Sequence, residues 1–346
     1  LLAAVERFVA VRVLASQRPD VHSRYRTGSE PFLVLSCEGE VLGRFLFGNP
    51  GPLAKALLEE AQAYGAASRP FASGTQPEAK PVWTGAVGQG EEGALQSDLP
   101  ASCLGAVLAE RAGLSAVPGA LDLLLYAARE WADQEARARL SLELAELSAL
   151  RDPKSGAFGA TGGPDLGLNA GLARLYWDAF ALIGEASLRE TAAGLTDFLL
   201  RDLFDPGVGA FRQSAGQGEP SFYAEGNAKA VYALLRASAF QGDGRRLQAV
   251  TQTLAFLQTQ LFDPRLGMVH ERRAAGLAGL LGDNAWTALA FSESFLMTGQ
   301  RQQREFADGL MRLLFQELWD REQGGFVDRT PEAGAIGRLK EPRRPI

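Results

Sequence analysis

The sequence predicts a multidomain chain of two classes, a small α/β unit followed by an all-α region of repeated helical hairpins. Three observations predict it. Short apolar, β-branched runs occur only before residue 65. From Ala101 onward apolar residues recur three and four apart, the spacing of amphipathic helices. A signature D-x-x-x-G-x-(Phe/Val) then returns at Asp152, Asp205, Asp263 and Asp320.

Composition sets the outer bounds. At 346 residues, 46% apolar and 22% charged, the chain is long enough for two or three domains of roughly 150 residues. Thirty-five basic against forty-one acidic side chains give a net charge of −6, which argues against a nucleic-acid partner. No run of 18 apolar residues offers a membrane span. His22, His270, Cys37 and Cys103 are too scattered for a metal site, and no cofactor motif is expected. Two lone cysteines suit a reducing, cytoplasmic compartment. The start at Leu1, inside helix-like sequence, predicts that this stretch belongs to a longer gene product.

Residues 1–65 form the α/β unit. Leu1 to Arg7 is helix-forming, Phe8 to Leu14 reads as a strand, and Gln17-Arg18-Pro19-Asp20 opens a helix. Phe32 to Ser36 and Val41 to Phe47 read as strands joined across Glu38-Gly39. Leu53 to Tyr64 returns to helical spacing. Residues 66–100 hold five Gly and four Pro and read as a linker. Gly88 to Gly93 formally matches G-x-G-x-x-G, but no strand precedes it, so it carries no phosphate-binding expectation.

Residues 101–346 read as helix after helix. Eight are expected: Leu121 to Trp131, Arg137 to Leu150, Leu168 to Ile183, Leu188 to Leu203, Asn227 to Phe240, Leu247 to Leu261, Asn284 to Met297 and Glu305 to Trp319. Ser102 to Leu114 is a candidate ninth. The repeated aspartates stand 53, 58 and 57 residues apart. Asn169-Ala170, Asn227-Ala228 and Asn284-Ala285 run in phase with them, and each Asn is expected to cap the helix that follows. A repeat of this length is a helical hairpin that buries its apolar face only against its neighbours. That makes either an open solenoid or a closed α/α toroid, with the Gly- and Ala-rich first helices as the inner ring.

Val11-Arg12-Val13, Gln17 to Val21, Tyr25 and Glu30-Pro31-Phe32-Leu33-Val34-Leu35 resemble the second half of a thioredoxin fold. Thr196 to Leu203 with Gly209-Ala210-Phe211, and Gly324-Gly325-Phe326-Val327-Asp328, resemble a six-hairpin barrel. Together they are similar to the thioredoxin-domain proteins of the spermatogenesis-associated protein 20 type. The resemblance implies a partial thioredoxin-like domain followed by a six-hairpin glycosidase-like α/α toroid. It also implies that the redox cysteine motif lies upstream of Leu1, since Cys37 and Cys103 do not occupy it. Pro31 aligns with the proline that such folds keep in cis, and Leu14 stands where they carry an acid. Twelve helices close a six-hairpin ring, so eight or nine imply an incomplete one.

Such barrels belong to glycosidases and sugar epimerases, which implies a carbohydrate-type cleft at the ends of the inner helices. Glycoside hydrolysis uses two carboxylates roughly 5–5.5 Å apart for retention or about 6.5–9.5 Å apart for inversion. Glu225 and Asp283 are the candidate catalytic pair, because they precede the equivalent Asn227 and Asn284 by two and one positions. Their places at helix N-termini equally suit simple dipole stabilisation. Asp165 is a candidate third acid, while Trp177, Tyr223 and Trp286 are candidate sugar-stacking rings. His270 is a candidate base if it faces the cleft and a plain surface residue if it stays in an exposed loop. The aspartates of Asp152-Pro153, Asp205-Pro206 and Asp263-Pro264 are turn-formers rather than ligands.

Three readings follow. The first, and the leading one, is a non-redox protein that binds a carbohydrate-like small molecule or a protein partner without catalysis. The second is a glycoside hydrolase or epimerase using Glu225 and Asp283. The third is a thiol–disulfide protein whose cysteines lie upstream.

Overall fold

The computed structural model describes residues 32–35, 41–45, 118–160, 163–215, 219–242, 244–272, 277–321 and 325–330. The chain divides into two compact units, one spanning Gly90–Trp319 and the other Leu1–Gln89 with Asp320–Ile346. In the second of these, β1 (Phe32–Leu35) pairs antiparallel with β2 (Val41–Phe45), with a bulge between Val34 and Leu35. This is the hairpin expected across Glu38-Gly39. The other elements read from residues 1–65, the linker, the candidate helix at Ser102 to Leu114, and Pro31, Cys37 and Cys103 lie outside the described residues.

The larger unit is helical. In chain order it contains α1 (Pro118–Glu130), α2 (Gln134–Ser148), α3 (Leu166–Ile183), α4 (Ala186–Phe198), α5 (Ala224–Phe240), α6 (Gly244–Gln260), α7 (Leu281–Thr298) and α8 (Arg301–Glu317). A π-helical turn, Leu199–Leu203, extends α4. Each odd-numbered helix packs on the even-numbered helix after it, and α3, α5 and α7 pack side by side. The odd helices are therefore the inner layer. Ala170, Ala173, Ala228, Ala230 and Ala233 are fully buried there, and their small side chains let neighbouring backbones approach closely. The outer helices bury only one stripe, as Leu140, Leu144 and Leu147 do on α2.

The connections differ at the two ends of the unit. From inner to outer helix they are short, turning at left-handed Gly184 (φ 86°) after α3 and Gly299 (φ 70°) after α7. From outer to inner they are long and carry two-residue strand pairs: β3 (Gly159–Ala160) with β4 (Gly163–Pro164), β5 (Phe204–Asp205) with β6 (Ala210–Phe211), and β7 (Phe262–Asp263) with β8 (Gly267–Met268). The repeated aspartates make these turns, as expected. Asp205 accepts from the N–H groups of Gly207 and Val208, and Asp263 accepts from those of Arg265 and Leu266. Gly209 (φ 76°) and Gly267 (φ 82°) then take the left-handed conformation that closes each turn.

The asparagines correct the sequence reading. Asn169, Asn227 and Asn284 are not caps but the fourth residues of α3, α5 and α7. The position before α3 is held by Asp165, whose Oδ1 accepts the Leu168 N–H at 2.9 Å. Each asparagine instead clamps the backbone of the preceding connection, in a strand or just before it. Asn227 Oδ1 accepts the Phe211 N–H at 2.7 Å, while its Nδ2 donates to the Phe211 and Tyr223 carbonyls. Asn169 does the same with Phe158, and Asn284 Oδ1 accepts from Met268. All three are fully buried, so an amide that both donates and accepts is what the unpaired strand edge requires. Among the described residues, no helix is long and apolar enough to cross a membrane, and no cluster of three or more His, Cys, Asp or Glu could hold a metal ion.

Candidate active site

The long connections converge on the N-terminal ends of the inner helices. Each one lies across the start of the preceding inner helix: the Leu166 N–H donates to the Gln213 carbonyl and the Ala224 N–H to the His270 carbonyl. These bonds satisfy donors that a helix start leaves open. They also bring His270 over Tyr223, with the two rings stacked at 4.9 Å and 10°.

His270 is buried, 4% exposed, which rules out the exposed-loop alternative for this residue. Its Nδ1 lies 2.9 Å from Asp283 Oδ2. Asp283 is the third residue of α7 and is fully buried; its Oδ1 also accepts the Glu225 backbone N–H at 3.0 Å. Burial raises the carboxyl pKa of Asp283, and the hydrogen bond from His270 opposes that rise without cancelling it.

Glu225 presents the accessible carboxylate, its side chain 35% exposed. It lies against Gly282, where a Cβ would come within 2.7 Å of Oε2. With Glu225 N only 3.0 Å from Asp283, the reach of one glutamate side chain keeps the two carboxylates within about 9 Å of each other. One turn deeper, Lys229 Nζ sits 2.5 Å from Glu225 Oε1 and 5.0 Å from the centre of the Trp286 ring. The Arg174 guanidinium lies 5.4 Å from the same ring.

Below this level the inner helices are tied by charge. Arg174 pairs with Asp122 and approaches Asp178, and Asp178 binds Arg236 at 2.6 Å. Glu225, Lys229, Tyr232 and Arg236 fall on one stripe of α5 at helical spacing. Arg174 and Asp178 hold the equivalent places on α3, and Trp286 and Glu293 on α7.

The structure thus gathers Glu225, Asp283, His270 and Tyr223 into one cluster, with Trp286 one turn inward. Asp165 stands at the next helix start, its free carboxylate oxygen against the Gln213 amide. The Gln213 Oε1 in turn faces Gly226, beside Glu225. Trp177 is the exception among the predicted rings. It is fully buried, its Nε1 donates to Thr196 Oγ1 at 2.9 Å, and it stacks on Phe240 at 5.5 Å. Its place on α3 turns it toward α4, so it is a core residue. Lys229, Arg174 and Gln213 escaped the sequence reading. For Lys229 a signal was present, its i,i+4 spacing from Glu225.

No protein-family profile and no curated protein matches this sequence. Solved structures do resemble it. A sugar epimerase from a ruminal bacterium superposes with a TM-score of 0.53 at 12% identity, over 67% of this chain and 67% of that one. Cellobiose 2-epimerase from Bacillus thermoamylovorans gives 0.55 at 12%, over 66% of each chain. An unsaturated glucuronyl hydrolase specific for heparin gives 0.52 at 14%, over 63% of this chain and 69% of that one. The helical unit shares the α/α-barrel-like fold of these structures. The chain spans about two thirds of the length of these structures. Within the α/α barrel, the cluster around Glu225 lies where the long connections meet the inner helices.

Proposed function

We propose that this chain is a carbohydrate-active enzyme in which Glu225 and His270 handle protons on a bound sugar. The observation that carries this reading is the buried contact of His270 Nδ1 with Asp283 beside the accessible carboxylate of Glu225. A fully buried carboxylate is costly unless it is paired and hydrogen-bonded. Here the pairing fixes the imidazole and commits Nδ1 to Asp283. Glu225 then acts as the second acid or base. Asp283 is a positioning group that works through His270, rather than one of two carboxylates meeting the sugar. Asp165, Gln213, Tyr223 and Trp286 stand around this cluster as ligand contacts.

Structures sharing the fold support this reading, since their names record an epimerase, a cellobiose 2-epimerase and a glucuronyl hydrolase. A site for recognition without catalysis would hold few convergent polar groups, and this cluster gathers a carboxylate, an imidazole, an ammonium and an amide. In the same reading residues 1–65 are a thioredoxin-like remnant without a redox pair, 66–100 a linker, and 101–346 the cytoplasmic sugar-processing barrel.

Turnover tests the proposal. Mono- and disaccharides, including uronates, are incubated with the protein and followed by NMR. The expected result is conversion of at least one sugar, with Glu225→Gln and His270→Asn each slowed by about 10²–10⁴-fold. Binding of sugars without conversion by the wild type would instead return the leading role to recognition.

A further inference from the structure

We propose that Lys229 is the electrophile of this site, receiving the carbonyl oxygen of an open-chain sugar while Glu225 removes the proton from the adjacent carbon. The substrates are then reducing sugars, and the reaction is an epimerisation or isomerisation. This inference rests on the carbohydrate-enzyme reading above and narrows it to a reaction class.

Two kinds of sugar chemistry suit an acid/base cleft. Hydrolysis calls for two carboxyl groups that both face the glycosidic bond. Of the two here, Asp283 is fully buried and its oxygens are engaged by His270 and the Glu225 N–H, which leaves Glu225. Asp165, the next carboxylate along this edge, caps α3 and meets Gln213. Enolisation calls for something different: a base, a cation at the carbonyl oxygen, and a donor to return the proton.

Lys229 meets the second requirement by position. Its ammonium touches the base at 2.5 Å, and the carbonyl oxygen and acidic C–H of a sugar sit on adjacent carbons. A Cβ at Gly171 would lie 4.0 Å from Lys229 Cδ, in ordinary van der Waals contact with its stem. The Trp286 face holds the ammonium from the other side. An arriving carbonyl competes with Glu225 for this cation, so substrate binding itself frees the carboxylate to act as base.

The step balances within the site. The C–H bond breaks, its proton passes to Glu225, and its electron pair forms a C=C bond. The carbonyl π pair moves onto oxygen, where the Lys229 ammonium meets the charge. The proton then returns from Glu225 or His270. Delivery to the opposite face of the same carbon re-forms the carbonyl and gives the epimer; delivery to the former carbonyl carbon, with the proton of the adjacent hydroxyl passing to the enolate oxygen, gives the isomer.

The experiment follows deuterium entering from D₂O at C2 of glucose, mannose and cellobiose, with methyl glycosides as non-reducing controls. Exchange is expected with at least one reducing sugar and with no methyl glycoside. Lys229→Met is expected to lower exchange by about 10²–10³-fold while calorimetric binding of the same sugar persists, and Lys229→Arg to recover part of it. Thermal melts of Lys229→Met and Lys229→Gln check the fold. Hydrolysis of methyl glycosides, or exchange by Lys229→Met within about threefold of wild type, overturns the Lys229 assignment and leaves sugar processing standing. Failure of the wild type to convert any sugar overturns both.

Discussion

Tyr223 lies flat on the imidazole of His270, ring centres 4.9 Å apart, because the connection after β8 is hydrogen-bonded across the first turn of α5. One face of the imidazole is thereby covered and its Nδ1 is turned to Asp283. Asp283→Asn keeps an acceptor for Nδ1–H but removes the charge that stabilises an imidazolium. Turnover is expected to fall by about 10²–10⁴-fold with the fold intact. The pH dependence of stability has a definite sign. Burial raises the folded pKa of Asp283 above its unfolded value of about 3.9. The stability this contributes is present below the unfolded value and is lost as pH rises through the folded one. Urea unfolding of wild type and Asp283→Asn should therefore show the wild type losing ground to the variant as pH increases. A gap that does not change with pH would contradict the burial argument.

Gly267 and Gly156 share a left-handed backbone but not a neighbourhood. At Gly267 an added Cβ would sit 2.5 Å from Asn284 Oδ1, the atom that accepts the Met268 N–H. At Gly156 nothing lies within 4 Å. Gly156→Ala is expected to cost about 1–2 kcal/mol of backbone strain. Gly267→Ala adds a displaced buried hydrogen bond, roughly 1–3 kcal/mol more. Chemical denaturation of the two variants side by side reads this difference.

The two inner-helix tryptophans should separate stability from chemistry. Trp177→Ala empties a fully buried site and removes the Nε1–H donor to Thr196, at an expected cost of about 3–5 kcal/mol. Trp286 is half-buried and carries Lys229 and Arg174 on its ring. Trp286→Ala is expected to leave the melting temperature closer to wild type and to slow sugar turnover by loosening Lys229. Equal destabilisation by both changes would place Trp286 in the core with Trp177.

The helices and the turns were legible because both are local. Spacing of three and four marks the helices from Leu121 onward, and D-x-x-x-G encodes its own turn through Asp oxygens and a left-handed glycine. The sequence pattern places the helix starts two or three residues late at Asn169, Asn227 and Asn284. Their first turns, such as Ala224-Glu225-Gly226, carry little apolar periodicity, and asparagine has a well-known taste for caps. Its actual partner, a strand edge 16 residues earlier in the case of Phe211 and Asn227, is a tertiary fact. The π-helical turn at Leu199–Leu203 likewise has the pattern of plain helix, since its apolar spacing continues that of α4. The acids of the candidate site, Glu225 and Asp283, could be picked out by their phase in the repeat. The burial of His270 could not, because it depends on Tyr223 and Asp283 from two successive repeats.

The turn aspartates make a prediction of opposite sign to that of Asp283. The Arg212 guanidinium, with the Val208 and Gly207 N–H groups, holds Asp205 below the usual carboxylate range. Asp263 is lowered chiefly by the Arg265 and Leu266 N–H groups, and Asp152 by Ser155 and the Lys154 N–H. A lowered folded pKa contributes stability above the unfolded value of about 3.9, and that share disappears as pH falls through the folded value. Asp205→Asn keeps an oxygen for the turn N–H groups but loses the charge facing Arg212. Wild type should therefore exceed Asp205→Asn in stability at pH 6, and the margin should shrink steadily toward pH 3. Because Arg212 is largely exposed, the margin should also narrow in high salt. Melting curves at two ionic strengths across that range measure both effects, and a margin that widens on acidification would show that the turn holds without its charge.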